Sequence, residues 1–285
     1  MKHLASQYPV TELCEVLGLS RSGFYSWLKR PQSPRAKANH ALTGRIAQIH
    51  HDHRDCYGSP RITHHLRNEG MRVGKNRVAR LMRLQGIRAK RKRPFRPRTT
   101  DSRHVEAIAP NWLKKLPAPA GPNQVWVSDI TYIWTAAGWL YLAGVMDLCS
   151  RKIVGWALGD RLEASLVKQA LSQALAARRP APGLVHHSDR GVQYASSAFR
   201  ALLLSQKITP SMSGLAHCYD NAAMESFWSS LKNELVHHER FENPQQARLA
   251  IFDYIEAFYN RKRLHSALGY KSPVDFENQI AYKNN

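Results

Sequence analysis

The chain has 285 residues, and its 42 Lys and Arg against 21 Asp and Glu give a formal net charge of +21. This excess of cations predicts a polyanionic partner, and a nucleic acid is the expected one. Because no apolar run has membrane-spanning length and no signal-peptide core is present, we expect a cytoplasmic, nucleoid-associated protein without a membrane partner.

The excess charge lies in the first part of the chain. Residues 1–120 hold 25 basic and 7 acidic residues, a net charge of +18, whereas residues 121–285 hold 17 and 14, a net charge of +3. We therefore expect DNA binding mainly from the first part.

Residues 1–32 have the spacing of a helix-turn-helix module. Apolar positions from Val10 to Leu17 mark one short helix, Gly18 ends it, and Ser20 is a good cap for a second helix that contains Phe24. A small all-α unit is predicted here.

Residues 40–90 predict a second, basic helical module. Ile46 and Ile49 begin one helix, residues 57–60 turn, and a last helix runs from Asn76 to Leu84. Its apolar face is Val78, Leu81 and Met82, and the opposite face leaves these cations free for phosphate: Lys75, Arg77, Arg80 and Arg83. A purely structural helical bundle is the alternative.

Residues 91–122 are expected to form a linker that is first basic and then rich in proline. Four adjacent cations at its start are predicted DNA contacts: Lys90, Arg91, Lys92 and Arg93. A solvated, disordered basic arm is the competing interpretation.

A histidine cluster, His50-His-Asp-His53 with Cys56 nearby, raises the possibility of a zinc site. A structural zinc site usually has two spaced pairs of ligands, and the second pair is missing here. We therefore favour a polar helix face. The four cysteines have no Cys-x-x-Cys spacing, so no disulfide framework is indicated.

Residues 123–285 alternate strand and helix patterns. Strands are predicted at 124–134, 139–147 and 152–158 and before Ser188, and helices at 163–179 and 197–206. Pro244 begins a later helix with an apolar stripe of Ile251, Phe252, Ile255 and Phe258. This order predicts an α/β domain with a mixed sheet flanked by helices.

Three carboxylates are the candidate catalytic and metal-binding residues of this domain. Asp129 lies within an apolar strand and Asp189 ends another. Glu225 is separated from Asp189 by 35 residues and lies on a helix that Asp220 or Asn221 would cap. An acid inside an apolar strand costs several kcal/mol unless it is paired or bound to metal, and residues 121–150 contain no Lys or Arg. Solvated charges or ion-pair partners are the alternative. Oxygen ligands without cysteine favour a hard cation such as Mg²⁺.

Four motifs occur in order: Trp126-x-x-Asp-Ile-Thr-Tyr132, His187-Ser-Asp-Arg-Gly-x-Gln-Tyr194, Tyr219-Asp-Asn-Ala-x-x-Glu-Ser-Phe-Trp-x-x-Leu-Lys-x-Glu234 and Tyr259-Asn-x-x-Arg-x-His-Ser-Ala-Leu-Gly-Tyr-x-Ser-Pro273. They resemble the signatures of bacterial insertion-sequence transposases, specifically the second-frame product of the IS three family, whose catalytic domain is related to retroviral integrases. The resemblance implies a ribonuclease H-like fold with Asp129, Asp189 and Glu225 as the acidic triad. The chain departs from the pattern at residues 214–218, Gly-Leu-Ala-His-Cys, where relatives commonly carry basic residues followed by Gly and Asn.

The resemblance also implies an activity and partners. DNA ends of a mobile element would be cut and joined by phosphoryl transfer with two Mg²⁺ ions, for which Mn²⁺ is expected to substitute. The expected partners are double-stranded DNA, as terminal inverted repeats and target, further copies of the chain on that DNA, and an upstream-frame product as fusion or separate protein. A nuclease of the same fold that cuts without joining, and a DNA-binding regulator without catalysis, are the two alternatives.

Lys232 lies seven residues after Glu225, about two helical turns, so both side chains leave one face of the helix. This placement and the matching motif predict a contact between Lys232 and DNA near the reacting end. A solvated surface lysine is the alternative. Ser230, on a different face, is expected to tolerate alanine.

Overall fold

The first 90 residues are helical. The computed structural model of the protein describes residues 1–90, 109–214 and 221–284. Its first five α-helices are α1 (Val10–Val16), α2 (Arg21–Lys29), α3 (Pro34–Asp52), α4 (Ser59–Asn68) and α5 (Lys75–Leu84). The described part of the chain contains no helix that is both long and apolar enough to cross a membrane.

Two short helices, α1 and α2, lie where the spacing of residues 1–32 predicts them. Gly18 has φ +63°, a left-handed conformation that glycine adopts without strain, and it separates the two helices. Ser20 then caps α2, since its Oγ accepts a hydrogen bond from the Gly23 amide at 3.2 Å. Cys14 and Phe24 are the buried residues of the two helices.

Helix α3 begins twelve residues before the predicted start at Ile46, which is therefore wrong. Ser33 caps the helix by accepting from the Ala36 amide at 3.1 Å, and Pro34 occupies the first turn, where its missing N–H costs nothing. The first half of α3 has few apolar residues because it is mostly exposed, so hydrophobic periodicity marks only its buried second half.

The rest of the chain is organised around one five-stranded sheet. The strands are β1 (Val125–Thr135), β2 (Gly138–Asp147), β3 (Ile153–Gly159), β4 (Val185–Ser188) and β5 (Thr209–Met212). Their order across the sheet is β3-β2-β1-β4-β5; β1, β2 and β3 are antiparallel, whereas β4 is parallel to both β1 and β5. The sheet is therefore mixed, as predicted.

Helices cover both faces of this sheet. One face carries α6 (Ala164–Arg178), the short α7 (Val192–Ala195) and α8 (Ser197–Ser205), and the other carries α9 (Ala222–Glu234) and α10 (Pro244–Phe252). Gly155 in β3 lets α6 approach closely, because a Cβ there would lie 2.3 Å from the Ala170 carbonyl oxygen. The predicted α/β arrangement, a mixed sheet flanked by helices, is confirmed.

The apolar stripe predicted for α10 is wrong at one position. Ile251, Ile255 and Phe258 are buried, but Phe252 is 55% exposed and Tyr254 is buried instead. At about 100° per residue, Phe252 is turned about 100° away from Ile251, whereas Tyr254 is turned about 60° to the other side and stays beside the apolar stripe. Asp253–Tyr259 continues the helix as a π-helical segment.

Helices α3 to α5 pack against the sheet-containing part of the chain. Their apolar residues belong to the same core cluster as α9, α10 and one face of the sheet. The buried Tyr57 hydroxyl donates to the Lys262 carbonyl at 3.2 Å and accepts from the Leu264 amide at 2.8 Å. Arg54 also pairs with Asp253. The second helical module and the sheet thus share one core.

Two further elements complete the C-terminal part. A short 3-10 turn, Ser266–Leu268, precedes α11 (Pro273–Asn284). Glu277 of α11 accepts from Arg178 at 2.7 and 2.9 Å and from Lys152 at 3.0 Å, which connects the last helix to α6 and to the residue before β3.

Candidate active site

Asp129 lies in the middle of β1, and both of its carboxylate oxygens accept hydrogen bonds. Oδ1 accepts from the Ile130 amide at 2.8 Å and Oδ2 from the Trp228 indole Nε1–H at 3.0 Å. The side chain is half-buried. Both donors are neutral, so these two contacts stabilise the Asp129 carboxylate without neutralising its charge.

Asp189 stands beside Asp129 because of the register of two parallel strands. Ser128 in β1 is the partner of Ser188 in β4, so Asp129 is the next residue of β1 and Asp189 directly follows the end of β4. Neighbouring strands are about 4.8 Å apart. The Asp189 carboxylate Oδ1 accepts from the Gly191 amide at 3.0 Å, which fixes the turn after β4.

Asp189 opposes the ionisation of Asp129. Burial, and then the nearby Asp189, raise the pKa of Asp129 from 3.8 to about 7, and Glu225 adds to this increase. The hydrogen bonds from Ile130 and Trp228 act in the opposite direction. Negative charge is therefore concentrated at this point of the sheet, where a cation would be stabilised.

Glu225 is in the first turn of α9 and is exposed. Two hydrogen bonds fasten α9 beside Asp129: Asn221 Nδ2 donates to the Ser128 carbonyl at 3.1 Å, and Trp228 donates to Asp129. Asn221 holds the N-cap position as predicted, but its side chain makes no capping bond. The other predicted cap, Asp220, lies outside the described residues.

Gly144 allows Trp228 to reach Asp129. It is the β2 partner of Asp129, and a Cβ at this position would lie 2.9 Å from Trp228 Cη2 and 3.1 Å from Met224 Cε. Any larger residue would push α9 away from the sheet. The contact between Trp228 and Asp129 thus depends on a glycine on the neighbouring strand.

The donor set suits a hard divalent cation. Asp129 and Asp189 provide neighbouring carboxylates on and directly after adjacent strands. A bound divalent cation would reduce the repulsion between them. Within residues 1–90, 109–214 and 221–284, however, no three His, Cys, Asp or Glu side chains are grouped closely enough to hold a metal ion. The role of Glu225 as the third ligand stays a prediction.

Lys232 is half-buried beside the acids. Its ammonium lies over the Tyr132 ring, 5.3 Å from the ring centre. Burial lowers the pKa of Lys232, and the negative charge of Asp129 acts against this decrease. The side chain therefore sits within the electrostatic field of the aspartate, as its position on the Glu225 face of α9 suggested.

Ser230 is a poor control for Lys232. Its Oγ accepts from Arg263 Nη2 at 3.0 Å, and Arg263 in turn binds Glu234 through two hydrogen bonds of 2.7 and 2.8 Å. That Ser230 tolerates alanine stays a prediction, but its hydroxyl is engaged, because the helix face opposite Lys232 is packed against the segment after the π-helical turn.

The predicted DNA-binding cations of the first 90 residues have different environments. Arg80 and Arg83 are exposed, but Arg77 is not free as predicted, since its Nε and Nη2 donate to Asn39 Oδ1 at 3.0 and 2.8 Å. Lys90 pairs with Asp55 at 3.3 Å. The predicted contacts of Arg91, Lys92 and Arg93 lie outside the described residues.

The histidine cluster is a packing feature. His50 and His53 are buried, which corrects the prediction of a polar helix face. The His53 ring stacks on Tyr57 with 4.1 Å between ring centres, and its Nδ1 bonds the Ile49 carbonyl at 2.8 Å.

His187, beside Asp189, is held between the Ser211 and Ser213 hydroxyls at 2.9 and 3.1 Å.

Sequence reasoning missed two residues of the site, Trp228 and Tyr194. Trp228 was visible only as a motif position three residues after Glu225. Tyr194 is buried, its hydroxyl has no hydrogen-bond partner among the described residues, and burial with the charges of Asp129 and Asp189 raises its pKa well above 10. Its place as the last residue of the motif that begins at His187 was the available signal.

Family models match most of the chain. One described as an HTH-like domain matches residues 37–95, and two described as integrase core domains match residues 119–218 and 225–280. The two integrase matches contain all three candidate carboxylates.

Several curated proteins are similar over nearly the full length. A transposase, InsF, of insertion sequence IS3A from Escherichia coli K12 is 40% identical over 280 residues, which are 98% of this chain and 96% of the relative. An uncharacterised 31 kDa protein of insertion element IS600 from Shigella sonnei is 46% identical over 264 residues, 93% of this chain and 97% of the relative.

Solved structures of retroviral integrases are similar at lower identity. The HTLV-2 integrase catalytic core in complex with magnesium matches with 16% identity and a TM-score of 0.44, over 55% of this chain and 98% of that one. A simian T-cell lymphotropic virus intasome matches with 16% identity and a TM-score of 0.46, over 81% of this chain and 74% of that one.

Proposed function

Because this chain belongs to the IS three family of insertion-sequence transposases, we propose that Asp129, Asp189 and Glu225 are the residues with which it cuts and joins DNA ends. The observation that supports this most is the pairing of Ser128 with Ser188, which puts the two aspartates side by side at neighbouring strand positions. Glu225 is carried by the helix that is fastened to the same strand by Asn221 and Trp228.

The three carboxylates would hold Mg²⁺, with Mn²⁺ as a substitute. Divalent metal bound at such a site activates the attacking oxygen and stabilises the leaving oxygen in an in-line displacement at phosphorus. No covalent protein nucleophile is required. Water would attack in the cutting step and a 3′-hydroxyl in the joining step, and the same acids would serve both.

Neighbouring groups orient the acids. The Ile130 amide and the Trp228 indole restrict the rotation of the Asp129 carboxylate, and the Gly191 amide does the same for Asp189. Lys232 lies where its ammonium would meet a phosphate or base beside the reacting end. Its partial burial over Tyr132 limits where that contact forms.

DNA is the substrate class, since the chain combines an HTH-like domain with an integrase core. We infer that the DNA is the terminal inverted repeat and then the target, bound by more than one copy of the chain. The cations predicted to contact it are Arg77, Arg80, Arg83, Lys90, Arg91, Lys92 and Arg93. Association with an upstream-frame product, as fusion or separate protein, belongs to the same proposal.

The test uses labelled terminal-repeat DNA with Mg²⁺ or Mn²⁺ and three variants: Asp129→Asn, Asp189→Asn and Glu225→Gln. Each should abolish cutting and joining while leaving the DNA dissociation constant within about threefold of wild type, because only the acids are altered. Asp160→Asn, an exposed aspartate of the same domain, is the matched control and should stay active.

The same assay separates the alternatives. Cutting without joining by the wild-type chain would support a nuclease, and binding without either step would support a regulator. Activity within tenfold of wild type in any of the three variants would remove that carboxylate from the site.

A further inference from the structure

A cleft of about 1020 Å³ lies between the second helical module and α9. One wall consists of α4, the end of α5 and residues 87–90, and the other consists of α9 residues 229–234 with residues 263–270. The volume is at the upper end of the range for small-molecule pockets. The cleft therefore has room for a segment of a polymer.

The cleft is strongly cationic. Its charged lining residues are Arg61, Arg83, Arg88, Lys90, Arg263 and Glu234. The one acid is already occupied, since both Glu234 oxygens accept from Arg263 and Oε2 also accepts from the Tyr254 hydroxyl at 2.9 Å. Lys90 is paired with Asp55. Arg61 Nη1 also lies 3.9 Å from Glu234 Oε1. Arg83 and Arg88 are therefore the lining cations of the described residues without an acidic partner, and they give the cleft most of its charge.

Arg83 and Arg88 are exposed, and in the described part of the chain their side chains have no hydrogen-bond or ion-pair partner. Arg61 is held more rigidly: its Nε donates to the Leu264 carbonyl at 3.0 Å, and its guanidinium lies over the Tyr57 ring at 5.5 Å. Burial and the neighbouring Arg263 lower the pKa of Arg61. An anion between these guanidinium groups would relieve their repulsion.

The cleft opens beside the helix of the candidate catalytic site. Ser229 lines it and lies four residues after Glu225, so it is one turn further along nearly the same face of α9. Ser229, Asn233 and Ser266 add neutral hydrogen-bonding groups to the lining. A polyanion that lies in the cleft would thus pass along α9 toward Glu225.

We propose that this cleft binds the sugar-phosphate backbone of the DNA substrate, with Arg61, Arg83 and Arg88 contacting phosphates. The proposal rests on the proposed function for the identity of the polyanion and adds where it lies. Of the three arginines predicted on α5, only Arg83 faces this site, because Arg77 is bound to Asn39 and Arg80 is not part of the lining. The binding surface is then formed jointly by the helical module and the catalytic helix.

The test measures binding of a terminal-repeat duplex to the full chain in EDTA, at several salt concentrations, for wild type and the double variant Arg83→Glu/Arg88→Glu. We expect the double variant to bind at least tenfold more weakly. A plot of log K against log salt concentration has a negative slope, and each lost phosphate contact reduces its magnitude by about 0.9. The slope of the double variant should therefore be less steep by about 2. Arg240→Glu, an exposed arginine outside the cleft, is the control for the change in charge.

The outcomes are distinct. A double variant with the wild-type affinity and slope overturns the cleft proposal, as does an equal loss in Arg240→Glu. A milder loss in Arg83→Gln/Arg88→Gln with an unchanged melting temperature supports it and excludes misfolding as the cause. Since binding is measured without metal, a wild-type chain that binds but never cuts would defeat the proposed function and leave this test intact.

Discussion

Asp129 is an acid whose ionisation is opposed by its surroundings, and this predicts a pH-dependent stability. Its pKa of about 7 in the folded chain, against an ordinary 3.8, means that the folded state binds the proton more tightly than the unfolded state. The free energy of unfolding of the metal-free protein therefore falls as pH rises from about 4 to 7. Asp129→Asn removes this fall.

The measurement is urea unfolding in EDTA at pH 4 and pH 8. The free energy of unfolding of Asp129→Asn relative to wild type should increase by about 2 kcal/mol from pH 4 to pH 8. This is less than the whole pKa shift would give, because the partly exposed site relaxes. Asp160→Asn should show no such increase. A difference for Asp129→Asn that stays constant with pH would contradict the prediction.

Lys232 supports a second prediction at the scale of the single residue. Lys232→Ala should lower cutting of the terminal repeat at least tenfold, because the ammonium beside Asp129 is then missing from the reacting end, and Lys232→Arg should be milder. Lys283→Ala, at an exposed position of α11, replaces the unsuitable Ser230 as control. Equal cutting rates in assays of Lys232→Ala and Lys283→Ala would show that Lys232 is only a solvated surface charge without a role in cutting.

Among the elements, those with a strong local pattern could be predicted from the sequence. Strands β1, β2 and β3 each begin and end within about one residue of the predicted bounds because their β-branched and aromatic runs are bounded by turn residues. Strand β5 was missed because Thr209-Pro-Ser-Met212 has no such run, and its proline is acceptable only because the strand is at the sheet edge.

In the candidate site, the sequence predicts the element that carries each carboxylate but not the contacts between elements. Each carboxylate was placed correctly on its element, since local sequence decides that: Asp129 on β1, Asp189 after β4 and Glu225 on α9. The contact of Trp228 with Asp129 could not be foreseen, because it depends on how closely α9 approaches β2 at Gly144. Local pattern carries no information about that approach.

The hydrogen bond between α9 and β1 yields a prediction at the scale of the element. Trp228→Phe keeps an aromatic ring at this position, but it removes the N–H that orients Asp129 and also the Cη2 and Cζ2 atoms that contact Gly144. Loss of such an orienting partner typically costs ten- to a hundredfold in metal affinity or activity. We expect cutting to fall about tenfold and the Mg²⁺ concentration for half-maximal cutting to rise.

Trp112→Phe is the matched control for this experiment, since its ring is more than a third exposed at 38%. It should cut at the wild-type rate. An unchanged Mg²⁺ dependence in Trp228→Phe, with cutting reduced or not, would show that the indole only packs and does not position the carboxylate.

At the scale of the whole molecule, Tyr57 joins the helical module to the sheet. Tyr57→Phe leaves the buried Leu264 amide and Lys262 carbonyl without their partner. A buried group that loses its hydrogen bond costs about 1–3 kcal/mol. Urea unfolding should therefore show a free energy of unfolding lower by about 2 kcal/mol in a single transition, whereas Tyr282→Phe, 84% exposed, should match wild type. A loss confined to a separate, earlier transition would contradict the shared core.

Because one core spans helices α3 to α5 and the sheet, the peptide link through residues 91–108 is not what holds the two parts together. A chain cleaved once at an engineered protease site near residue 100 should stay assembled as a two-piece complex and elute from a sizing column at the intact volume. Two pieces produced separately should complement each other and restore cutting when mixed. The transposase would then behave as a split enzyme whose two parts assemble without a covalent link.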